Sequence, residues 1–119
     1  MTLYAAITYT PDVDWTAPEH QAEMAEYGAF SSAAAAVLRG GAALYPTSTA
    51  TTVRVEDGRG SEVLSTDGPY AESKEVLTGF FLLECADLDE AIALAAQIPA
   101  AWNGAVEVRP VIPMGGGPA

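Results

Sequence analysis

The sequence predicts an α+β fold in which a strand–helix–strand unit occurs twice in one sheet. Three observations carry that expectation. Residues 3–9 and 79–85 are dense apolar runs of strand length, a helix-start pattern follows each of them, and a further strand-like segment follows each helix. At 119 residues the chain can bury one core but not two, and with half its residues apolar and 18% charged it has a folding composition.

Residues 3–9 are apolar, aromatic or β-branched on both faces, as in a strand covered on two sides, and Pro11 and Asp12 close the run. Thr16 with Glu19 three residues on, and Pro18 between them, is a helix start in which side chains satisfy free backbone N–H groups. Met24, Tyr27, Phe30, Ala34, Val37 and Leu38 then recur at three- and four-residue steps, so they share a face that packs on a sheet. Gly40 and Gly41, after Arg39 in the last turn, are expected to end this helix.

Residues 42–45 read as a short strand stopped by Pro46, and residues 51–56 alternate Thr51, Val53 and Val55 with Thr52, Arg54 and Glu56. Asp57-Gly58-Arg59-Gly60 is a turn, from which residues 62–66 return as the second arm of a hairpin at an edge. After the Asp67-Gly68-Pro69 turn comes the central run Gly79-Phe80-Phe81-Leu82-Leu83. Asp87 with Glu90 repeats the capping pattern, and Leu88, Ala91, Ile92, Ala95 and Ile98 mark the buried face of a second helix that Pro99 ends. Residues 105–111 alternate again and form the last strand. Residues 1–113 thus make the domain, and the glycine-rich residues 114–119 a flexible tail.

This order contains the split βαβ arrangement of a ferredoxin-like sheet with both helices on one face. The other face needs a cover. Leu3 and Ile7 against Tyr4, and Phe80 and Leu82 against Phe81 and Leu83, make both faces apolar, so a face-to-face homodimer is expected. The 16 acidic residues against 5 basic ones, a net charge of -11, repel phosphate backbones and anionic headgroups and argue against nucleic acid or a membrane as direct partner. Cys85, alone of its kind and inside an apolar run, reads as a buried thiol of a reducing compartment. The first residues form no leader and no apolar run reaches membrane-spanning length, so a cytoplasmic location is expected.

The stretch Thr66-Asp67-Gly68-Pro69-Tyr70-Ala71-Glu72-Ser73-Lys74-Glu75-Val76-Leu77-Thr78-Gly79-Phe80-Phe81 resembles the signature of the DGPF group within the YCII-related superfamily, with Tyr70 in place of phenylalanine. The resemblance continues through Thr49-Ala50-Thr51-Thr52-Val53-Arg54, Asp87-Leu88-Asp89-Glu90-Ala91, Ile98-Pro99-Ala100-Ala101 and Val106-Glu107-Val108-Arg109-Pro110. It implies a dimeric α/β barrel with a cleft between sheet and helices in each subunit. For function it implies two things. Some YCII-related proteins are small enzymes, including a dehydrochlorinase type, whereas DGPF-type members are often encoded beside extracytoplasmic-function sigma factors.

Enzymatic relatives are thought to pair a histidine on the first helix with an aspartate near the end of the second. Here Tyr27 stands at the first position and Gln97-Ile98-Pro99 in the region of the second. Tyrosine alone is a poor base near neutral pH. The remaining acid/base candidates are His20, Tyr27 and Asp67, with Glu72. His20 lies one turn before Met24 and reads either as a cleft residue or as an exposed first-turn side chain. Asp67 reads either as a turn residue whose side chain accepts backbone N–H bonds, or as part of a polar pocket with Tyr70 over it and Glu72, Lys74 and Glu75 close by.

Arg54 and Arg109 can converge on a ligand carboxylate or phosphate, or pair with Glu56 and Glu107 across a wet face. One histidine, one cysteine and scattered acids give no metal-ligand spacing, and neither a phosphate loop nor a Ser-His-Asp order occurs, so no cofactor is expected. Two readings follow. The chain is a binding or regulatory module for a small molecule or a protein partner, with Tyr27, Asp67, Tyr70, Glu72 and Arg54 as ligand-binding candidates, or it is a small lyase- or hydrolase-like enzyme.

Overall fold

The computed structural model describes residues 1–60, 62–71 and 73–114. Strands β1 (Thr2–Pro11), β2 (Leu38–Ala43), β5 (Glu75–Cys85) and β6 (Ala105–Pro110) form one antiparallel sheet in the order β2-β5-β1-β6. Strands β3 (Thr51–Val55) and β4 (Val63–Asp67) pair with each other in a separate hairpin. Helices α1 (Gln21–Ala33), α2 (Leu88–Ala95) and the short α3 (Ala100–Asn103) complete an α+β domain compatible with a ferredoxin-like fold. No helix among the described residues is long and apolar enough to cross a membrane.

The period of two in β1 sorts its residues between the faces. Tyr4, Ala6, Thr8 and Thr10 are buried, whereas Leu3, Ala5, Ile7 and Tyr9 are only partly covered. Phe30 and Ala34 from the α1 end, Ala91 and Ala95 from α2, and Ile98 and Ala100 join Tyr4, Ala6, Leu83 and Cys85 in one buried cluster. The helices therefore cover the Tyr4 and Leu83 face. On the opposite face Ile7 pairs with Phe80 and Ala5 with Leu82, and Glu107 and Arg109 of β6 flank them. Truncating a filled core position such as Leu83 to alanine costs about 2–5 kcal/mol.

Several expected details change. Gly40 and Gly41 do not end a helix; α1 stops at Ala33, and the glycines lie inside β2. The reason is strand pairing. Val37 O already accepts the Glu84 N–H at 2.9 Å, and a Cβ on Gly41 would lie 2.6 Å from Phe80 O, so β2 approaches β5 too closely for any side chain there. Thr16 does not cap α1 either. Its hydroxyl donates to Asp14 Oδ1 at 2.6 Å, a 3-10 turn (Pro18–His20) intervenes, and no side chain caps the helix at His20.

The second capping pattern forms as expected, with the Glu90 N–H donating to Asp87 Oδ1 at 2.9 Å. Leu88 and Ile92, however, are about half exposed, because α2 approaches the sheet through Ala91 and Ala95. Asp67 is the last residue of β4, opposite Thr51, rather than a turn residue, and its side chain accepts no backbone N–H among the described residues. The turn that follows does need Gly68, whose φ of +108° suits glycine alone among ordinary residues. Of the tail expected over residues 114–119 all but Met114 lies outside the described residues, as does Glu72.

The radius of gyration, 16.3 Å, exceeds the roughly 13–14 Å of a compact domain of this length, and the body is flat, 45 × 43 × 20 Å. Val53, Val55, Val63 and Leu64 are exposed on the hairpin.

Candidate functional site

A cavity of about 330 Å³ opens between α1 and the sheet. Met24, Tyr27, Gly28 and Ser31 line it from α1, at the steps that put four residues on one helix stripe. The facing wall is β2 and β5. Gly41 and Gly79 let these strands touch, a Cβ on Gly79 falling 2.5 Å from Ala42 O, and the small Ala42 and Ala43 leave space above them. Phe81 supplies a ring, Thr8 of β1 and Thr78 of β5 supply hydroxyls, and Trp15 closes the side from the loop after β1.

Aromatic contacts set this geometry. Tyr27 stacks on Phe81 with ring centroids 6.4 Å apart and planes 13° apart, and Phe30 meets the same Phe81 ring edge-on at 5.0 Å. Trp15 packs its edge against Tyr27 at 5.7 Å and contacts His20 at 5.4 Å. The polar floor is internally bonded. Thr8 and Thr78 hydroxyl oxygens are 3.0 Å apart, with Thr10 Oγ1 3.3 Å from that of Thr78.

Burial holds Tyr27 protonated, its pKa pushed up to about 12, with Glu23 adding to the shift and a backbone bond from Ala100 opposing it. Near neutral pH it is a hydroxyl and not a base. Cys85 is fully buried, and burial followed by the nearby Glu90 raises its pKa, so it offers no nucleophile.

The candidates named from the sequence separate in space. Tyr27 lines the cavity. His20 stands behind Trp15, outside the lining, with Nδ1 3.0 Å from Glu23 Oε1; Asn103 donates to the other Glu23 oxygen at 3.3 Å. Glu23 is thus a carboxylate partner for His20, three residues on, which the sequence reading left unidentified. Asp67 lines neither this cavity nor a second, more open one at the foot of the hairpin, which is bordered by Asp12, Thr47, Gly68 and Pro69. There the Thr47 N–H donates to Asp12 Oδ1 at 3.0 Å and the Thr47 hydroxyl to Oδ2.

Tyr70 does not close over a polar pocket; it is largely exposed and carries the Arg54 guanidinium 5.8 Å from its ring centre. Arg54 and Arg109 lie in different sheets, and neither forms an ion pair among the described residues. No cluster of three potential metal ligands occurs among the described residues. Trp15, Gly28 and the Thr8–Thr78 pair are the site residues that the sequence left unmarked. A glycine and a serine interrupting the apolar stripe of α1 were the available signal.

A small α+β protein with an aromatic cavity beneath its first helix is the class that this geometry defines. The family of YCII-related domains matches residues 1–115, and an uncharacterized protein of Rhizobium meliloti (strain 1021) is 37% identical over 116 residues, 92% of this chain and 91% of that protein. The chain belongs to the YCII-related family.

Proposed function

We propose that this protein is a dimeric small-molecule-binding module whose ligand lies between α1 and the sheet. One observation carries the reading. The cavity has the size, about 330 Å³, and the aromatic lining of small-molecule sites, which span roughly 300–1,000 Å³, yet it contains no acid–base pair. A module that changes with its ligand suits a regulatory role beside an extracytoplasmic-function sigma factor, as the DGPF resemblance implies, and a cytoplasmic location accords with the free thiol of Cys85.

Pairing into a dimeric α/β barrel is supported by the sheet face that bears Leu3, Ala5, Ile7, Phe80 and Leu82, and by the exposed valines of the hairpin, since an isolated two-stranded arm is marginally stable in water. Sedimentation velocity at micromolar protein tests this: a dimer that Ile7→Lys dissociates is expected, and a wild-type monomer contradicts it. For the cavity, a fragment library screened by ¹⁵N–¹H spectra should give compounds that shift the amides of Gly28, Gly41 and Gly79 together. Shifts confined to the hairpin foot would place the site elsewhere.

A second reading has one observation in its favour. His20 held by Glu23 is a histidine oriented by a carboxylate, the arrangement of a general base. Turnover of any substrate that survives in His20→Ala removes it.

A further inference from the structure

We propose that the cavity takes an uncharged, largely apolar molecule bearing one hydrogen-bonding group, and that it turns away both anions and cations; the inference rests on the binding reading above and narrows its ligand class. Gly28 is the first argument. It sits in the middle of α1, where glycine costs about 0.8–1.0 kcal/mol relative to alanine. Gly41 and Gly79 have a steric reason, since a Cβ on either would meet backbone oxygen, but a Cβ on Gly28 would meet nothing within 4 Å. What the glycine does is keep the helix wall of the cavity bare, where any larger residue would fill it.

Charge is the second argument. The lining contains no lysine, arginine, histidine, aspartate or glutamate. A carboxylate entering it would lose hydration with no cation to replace the lost water, and would first cross the field of a protein of net charge -11. An ammonium group would lose hydration there as well, since the lining holds no carboxylate and its threonine hydroxyls are already bonded to one another. The hydroxyls of Thr8 and Thr78 are the third argument. Each can donate or accept, so together they suit a neutral amide, carbonyl or alcohol at the buried end of an apolar ligand.

The test uses three compounds of one shape: cinnamamide, cinnamate and cinnamylamine, titrated at pH 7 into the ¹⁵N-labelled wild-type protein. The amide is expected to shift the resonances of Gly28, Gly41 and Gly79, and the two charged compounds to bind at least about tenfold more weakly. Gly28→Leu should abolish the effect while its dispersed spectrum shows an intact fold; the charge comparison stands on the wild type whatever that variant does. Either charged compound binding as tightly as cinnamamide overturns the ligand class and leaves the binding reading in place. If none of the three moves those resonances at millimolar concentration, both fall.

Discussion

Two glycines of the cavity wall should respond to alanine with opposite sign. Gly28→Ala adds a methyl group that meets nothing within 4 Å and removes the conformational penalty of glycine in a helix, so a gain of about 0.8–1.0 kcal/mol is expected. For a chain of this length that corresponds to a rise in Tm of about 3–6 °C. Gly79→Ala places its methyl 2.5 Å from Ala42 O and 3.3 Å from Ala43 Cα, both backbone atoms that move only if β2 separates from β5. Forcing atoms into a packed region costs about 1–3 kcal/mol, and a backbone clash belongs at the upper end or beyond.

Urea unfolding followed by Trp fluorescence reads both, since Trp15 is 9% exposed and lines the cavity. Protein concentration must be the same in every experiment, because any self-association would shift the midpoint. An unchanged m-value would show that the change is in stability itself. Loss of 1 kcal/mol or more in Gly28→Ala would refute the open helix wall, and a neutral Gly79→Ala would refute the close β2–β5 contact.

Further predictions come from single groups. The folded pKa of Tyr27, near 12, lies above the ordinary value near 10, so its contribution is intact below pH 10 and is lost as pH rises towards 12; alkaline titration of stability should show a decline on the order of 1 kcal/mol, allowing for partial exposure, that Tyr27→Phe lacks. Asp87→Ala should cost about 1 kcal/mol by removing the cap on Glu90 N, whereas Thr16→Ala should change urea stability by less than about 0.5 kcal/mol, its partner Asp14 being exposed. Cys85 should react with a thiol reagent only as fast as the protein unfolds, and rapid labelling of the native protein would contradict its burial.

The strands were the most legible part of the sequence, because runs such as Gly79-Phe80-Phe81-Leu82-Leu83 are too apolar to lie anywhere but in the sheet centre. The C-terminal limit of α1 was not legible. Arg39-Gly40-Gly41 after an alanine run has the composition of a helix stop, and only the register of β2 on β5 turns those glycines into a strand. The Thr16 cap failed for a similar reason: Asp14, two residues away, competes for the same hydroxyl.

The site was partly legible through Tyr27. Its stripe of Met24, Tyr27 and Phe30 was read as core, whereas Met24 and Tyr27 face the cavity and only Phe30 is fully packed, a division that depends on how the helix sits on β5. Asp67 and Tyr70 drew attention by their motif, but the hairpin that carries them stands away from the cavity.

The central claim is the location of the ligand, and a crystal structure of the wild-type protein with cinnamamide tests it most directly. Density is predicted against Gly28 and the Tyr27 and Phe81 rings, with the amide at the Thr8–Thr78 pair. Density at the Asp12–Thr47–Pro69 groove, or none in either cavity at saturating compound, would contradict the account.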